Sequence, residues 1–161
     1  MLLKYFVIIF LSSLAIANPK DDRCWTSESN PATLTPYTSQ AEWRNDLTKW
    51  QRLKPPQASL IHLAKAYAVV YKSEKAKAAS FSNDKLAHCY VGCRLTQETN
   101  FRTSRFIGWL KEDFDLTDCK MSSHFDPVDY QATVFGSEAG KDKKINCETV
   151  CLILIQSLNS L

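Results

Sequence analysis

The feature that most restricts how this chain can fold is a repeated cysteine spacing: Cys89/Cys93 and Cys147/Cys151 each stand four residues apart. At 3.6 residues per turn, positions i and i+4 lie on one face of an α-helix, one above the other. Two helices carrying such pairs can pack face to face and be stapled by two parallel bridges. Cys24 is then left to tie an N-terminal arm to Cys119. The six cysteines allow about 15 pairings. A zinc site made from the same sulfurs stays open as the alternative, although tetrahedral cysteine sites mostly use a tighter C-x-x-C spacing. An even cysteine count in a small exported chain favours disulfides.

Export is the expectation from the N-terminus. Lys4 supplies a positive start, Phe6 to Leu11 begin a short apolar run, and Ala15-Ile16-Ala17 has the small-x-small pattern of a cleavage site. Residues 1–17 therefore read as a signal peptide, with a secreted or periplasmic protein beginning at Asn18; an uncleaved anchor is the alternative. The apolar run is short for a membrane span and is closely followed by Pro19-Lys20-Asp21-Asp22. Of the 161 residues, 45% are hydrophobic and 23% charged, a globular composition rather than a disordered one. The net charge of +3, or +2 once Lys4 is removed, is too weak to argue for a nucleic-acid partner.

Residues 18–38, with Pro19, Pro31 and Pro36, read as an irregular arm, and 39–161 as one helical domain. Ser39 with Glu42 forms a capping-box pattern before Trp43, Leu47 and Trp50, and Pro55-Pro56 ends that helix. A second helix is expected over 57–79, a third from a Ser82 or Asn83 cap to Gln97, and a fourth from Arg102 to Asp115. Asp126-Pro127 opens a fifth, which Gly136 and Gly140 end, and Asn146 caps the last. No segment alternates like a strand. The expectation is an all-α, disulfide-stapled domain of about five to six helices.

The third helix carries the most informative run, Asp84-Lys85-Leu86-Ala87-His88-Cys89-Tyr90-Val91-Gly92-Cys93. Asp84 lies one turn before His88, and Gly92 one turn after, where it is expected to leave open space beside the ring. An imidazole oriented by a carboxylate and facing a gap suits a general base. A half-buried histidine merely satisfied by Asp84 is the plainer alternative. On the fifth helix, Asp129, Ala132, Thr133, Gly136 and Gly140 form a stripe of small residues headed by a carboxylate. If that stripe packs on the third helix, His88 and Asp129 form a dyad; otherwise Asp129 simply favours the helix N-terminus. Glu112, near Gly108, Lys111 and Asp115, is a candidate third polar group or metal ligand, or else solvated. His62 reads as packing, and His124 has no visible partner. Cys89 suits a bridge better than a nucleophile. Serine-hydrolase elbows, zinc-protease motifs, phosphate loops and dinucleotide fingerprints are missing.

The ordered set Asp84-Lys85-x-x-His88-Cys89-x-x-x-Cys93, Gly108-x-x-Lys111-Glu112-x-x-Asp115, Asp129-x-x-Ala132-Thr133-x-x-Gly136 and Cys147/Cys151 resembles a bacterial family of small exported proteins and polymorphic-toxin C-terminal domains. Thr133 stands where that family tends to have Asn, and no Cys follows shortly after Gly136. His88-Cys89-Tyr90 with Asp129-x-x-Ala132 is also similar to secreted phospholipase A2, where a His and an Asp pair across two disulfide-stapled helices. Cys89 replaces the Asp that follows the catalytic His there, and no Gly-rich calcium loop precedes it.

Two expectations follow. The first is a small exported hydrolase, phospholipase-like or toxin-like, acting on membrane lipid or another envelope substrate. His88 would activate water, Asp129 or Asp84 would orient it and Glu112 would assist; no cofactor is predicted, and a metal ion stays open. The second is a non-enzymatic helical binding protein that uses Trp25, Trp43 or Trp50.

Overall fold

The structure is a computed structural model, and it describes residues 24–119 and 125–158. The signal-peptide expectation and His124 lie outside those residues. Among them the protein is all-α, as its cap and spacing signals require. Ser39 caps α1 (Gln40–Arg52) by accepting from the Glu42 N–H. Ser59 caps α2 (Leu60–Ala68), which runs through a π-helical turn (Val69–Glu74) into α3 (Lys75–Ala79). Asn83 caps α4 (Asp84–Glu98), Asn100 caps α5 (Phe101–Asp115), and Asp126 caps α6 (Pro127–Ala139) with Pro127 at its start. Asn146 accepts from the Thr149 N–H at the head of α7 (Cys147–Leu158). The long second helix is thus interrupted rather than uniform: the π turn swings Glu74 inward, where it accepts from Tyr90 and Arg94 of α4.

Three local expectations are corrected. The arm is not irregular throughout: β1 (Ser29–Asn30) and β2 (Thr35–Pro36) form a short antiparallel ladder, with Asn30 opposite Thr35. Asn30 donates to Glu42, whose other oxygen accepts from Thr38, so the capping carboxylate also moors this hairpin to α1. Gly136 does not end α6 but lies inside it, and only Gly140 stands at its end. His62 does more than pack, since its ring is 3.0 Å from the Asn100 amide and links α2 to the head of α5.

Two cores hold the helices together. Trp43, Trp50, Phe106, Trp109, Leu116 and Tyr130 form one between α1, α5 and α6. Trp43 and Trp50 are 1% and 2% exposed, so neither can serve the partner surface suggested for them, and Trp25 packs against the same core. The second core lies around the staples Cys89–Cys151 and Cys93–Cys147, which join α4 to α7. Their crossed order makes the two helices antiparallel. Cys119 is also disulfide-bonded; its expected partner Cys24 has a side chain outside the described set. Cys89, Cys93, Cys119, Cys147 and Cys151 are therefore all bridged, which removes the zinc site expected from the paired cysteines.

α6 is the central element, laid between α4 and α5. A Cβ added at Gly92 would stand 2.3 Å from the Thr133 carbonyl oxygen, and one at Gly140 would stand 2.4 Å from that of Cys93. Real Cβ atoms cannot approach so closely, so only glycine permits this backbone contact. Gly92 therefore opens no space beside His88; the Thr133 backbone fills it. Ser104 donates to the Gly92 carbonyl and pairs with Ser137, a buried hydroxyl link through all three helices.

Candidate active site

The close contact of α4 and α6 sets His88 against the first turns of α6. Its Nε2 stands 3.6 Å from Asp129 Oδ2 and 3.8 Å from Asp84 Oδ1, and its Nδ1 stands 3.4 Å from Thr133 Oγ1. Thr133 donates its one hydroxyl hydrogen to the Asp129 carbonyl one turn back. Its lone pairs are left to accept from Nδ1–H, and the tautomer that uses them leaves the Nε2 lone pair beside the two carboxylates. The ring is thus oriented from behind by a hydroxyl, while both aspartates flank the basic nitrogen. Burial is the main influence on the imidazole and holds it below its ordinary value, partly offset by Asp129 and Asp84. The neutral, basic form is favoured.

Asp129 is 5% exposed. Lys85 donates to its Oδ1 at 2.6 Å and also pairs with Asp126. Burial raises the Asp129 carboxyl above the usual range, and Lys85 works against that rise. For Lys85, burial opposes the charge, but the hydrogen bonds to Asp126 and Asp129 outweigh it and hold the ammonium above its ordinary value. Asp84, at the first position of α4, is exposed.

His88, Asp84 and Asp129 open on a cleft of about 700 Å³. Lys111, Asp115 and Asp126 add to its polar side, with Ser29 and Asn30 of the hairpin, and Pro31, Leu34 and Phe125 form its apolar side. Leu34 is 83% exposed and has φ 55°, a left-handed conformation that is strained for a branched side chain. The hairpin thus holds an apolar residue out at the lip of the cleft.

Three of the four expected site residues meet at this cleft. Glu112 does not: it is wholly buried behind Asp126, accepting that residue's backbone N–H at 3.0 Å, with its Oε1 unpartnered. Burial raises its carboxyl to about 8, so it is protonated at neutral pH and anchors the head of α6 rather than reaching the cleft. Thr133 and Lys85, by contrast, touch the site directly though neither was singled out for a role. Their signals were present: Thr133 lies one turn after Asp129, and Lys85 follows Asp84. No family model, curated protein or solved structure matches this chain.

Proposed function

We propose that this protein is an exported hydrolase that cleaves an ester of an amphipathic, lipid-like substrate at the His88 cleft. The observation that carries the reading is the bared His88 Nε2, which faces an open cleft with Asp129 and Asp84 beside it and Thr133 behind it. Nε2 takes a proton from water as that water attacks the ester carbonyl. The imidazolium so formed is stabilised by the two flanking carboxylates, and it returns the proton to the leaving alkoxide. The apolar wall of Pro31, Leu34 and Phe125 supports an acyl chain as the neighbour of the scissile bond. The disulfides fit an oxidising location outside the cytosol, and no helix among the described residues is long and apolar enough to cross a membrane.

The test is fatty-acid release from mixed phosphatidylcholine and phosphatidylglycerol vesicles by the oxidised protein, run beside His88→Ala and Asp84→Asn. Release by the native protein, at least a hundredfold reduced in His88→Ala, supports the reading. Equal release by both proteins, or by neither while both are folded and bridged, overturns it.

A further inference from the structure

The same constellation has a second chemical capacity. Asp84, His88 and Asp129 each offer one ligand atom, and these three atoms all lie within 4.8 Å of one another. Bonds of about 2.0–2.2 Å from a tetrahedral zinc-class ion to nitrogen and oxygen put ligand atoms about 3.3–3.6 Å apart. The 3.6 Å from Nε2 to Asp129 Oδ2 meets that spacing, and the 3.8 Å to Asp84 Oδ1 needs only a small shift of an exposed side chain.

An independent observation points to a cation there. Asp129 is 95% buried, and its Oδ1 is taken by Lys85. Its Oδ2 accepts no hydrogen bond from the described residues and is aimed at His88 Nε2. With Nδ1–H committed to Thr133, that nitrogen presents a lone pair. A lone pair and two carboxylate oxygens then lie side by side, and the nearest ammonium, that of Lys85, engages Asp129 through its other oxygen. Nearby, the four carboxylates of Asp84, Asp115, Asp126 and Asp129 outnumber the ammonium groups of Lys85 and Lys111 by two, the charge of one divalent ion.

We infer that Asp84, His88 and Asp129 bind one divalent cation of the zinc class, and that the bound ion switches off the base. One imidazole and two carboxylates suit zinc and its neighbours, whereas calcium and magnesium prefer oxygen ligands alone. His88 has a single lone pair on Nε2, so coordination and proton abstraction exclude each other. This regulation rests on the hydrolase reading above, but the binding does not.

The experiment is calorimetric titration of the oxidised protein with zinc chloride, and separately with calcium chloride. Cys89, Cys93, Cys119, Cys147 and Cys151 are bridged and cannot supply thiolates. One zinc per chain is expected, weakened at least tenfold in Asp84→Asn and abolished in His88→Gln. Asp84 is 71% exposed, so its variant should keep the fold, checked by circular dichroism. Absent zinc binding, binding that both variants retain, or calcium binding that survives His88→Gln overturns the site. Vesicle hydrolysis should fall in proportion to zinc occupancy, and hydrolysis that persists at saturation overturns the switch. A metal-free protein that binds zinc as described yet releases no fatty acid leaves the site standing and removes the hydrolase reading alone.

Discussion

A Cβ added at Gly136 on α6 would stand 1.8 Å from the carbonyl oxygen of Cys89 on α4, the residue next to His88. The two backbones meet there without a side chain between them, and that contact brings Asp129 within reach of the imidazole. Neither backbone can yield easily, because Cys89 is also bridged to Cys151. Gly136→Ala must therefore push α6 away from α4. Overpacking costs about 1–3 kcal/mol in typical cores and more where backbone blocks relief. The expected result is a loss of at least about 3 kcal/mol in urea unfolding, with hydrolysis falling further than the folded fraction does.

Thr133 should matter for activity more than for stability. Thr133→Val keeps the shape but removes the oxygen that holds His88 Nδ1. The ring then loses its fixed orientation, and such misplacement reduces turnover by about ten- to a hundredfold. Thr133→Ser should restore most of kcat, since it returns the hydroxyl. Steady-state rates measured beside thermal midpoints separate the two effects. Equal rates for Val and Ser variants would show that the hydroxyl does not position the ring.

The two bridges should be non-additive by about 1 kcal/mol. With Cys93–Cys147 in place, Cys89–Cys151 closes only a ring made of residues 89–93 and 147–151. Chain entropy gives such a ring of about ten residues roughly 3 kcal/mol, against about 4 kcal/mol for the long loop that the first bridge closes. Replacing one pair by serine should cost about 3 kcal/mol, and replacing the second should cost about 4 kcal/mol more. Denaturant unfolding of the single- and double-bridge variants measures both steps.

Stability should fall as pH rises from about 4.5 to about 8. Glu112 is protonated in the folded protein up to about 8, and Glu28, buried with both carboxylate oxygens unpartnered, up to about 7. Burial is the main cause in each, reinforced for Glu28 by Asp118 and Asp115. In the unfolded chain both ionise near their ordinary values, about 4.3. Between these limits the unfolded state binds fewer protons than the native one, so the slope of unfolding free energy against pH is negative. Their stabilising effect is fully present below the unfolded value and lost as pH rises through the folded one. Glu112→Gln, which cannot ionise, should flatten the upper part of this decline in thermal unfolding between pH 5 and 8.

Much of the architecture could be read from local signals, because the forces behind them act within one turn of chain. Ser39, Asn83 and the Asp126-Pro127 step each satisfy helix-end donors a few residues away, which placed two helix starts in advance and narrowed the third to Ser82 or Asn83. The i,i+4 cysteines put both sulfur pairs on single faces, so a two-bridge staple between α4 and α7 followed. The small-residue stripe on α6 likewise marked the surface that lets a neighbouring backbone approach. Tertiary packing decided the rest. Glycine at position 92 signals a close contact without saying what fills it, and the Thr133 carbonyl does so. The hydroxyl that orients His88 lies 45 residues along the chain. Glu112 shares a helix with Lys111 and Asp115, yet is sealed behind Asp126 because α5 turns that face toward the head of α6. Helical periodicity states which residues share a face; which faces meet depends on close-packing across the whole molecule, and that placed the His88 imidazole beside Asp84 and Asp129.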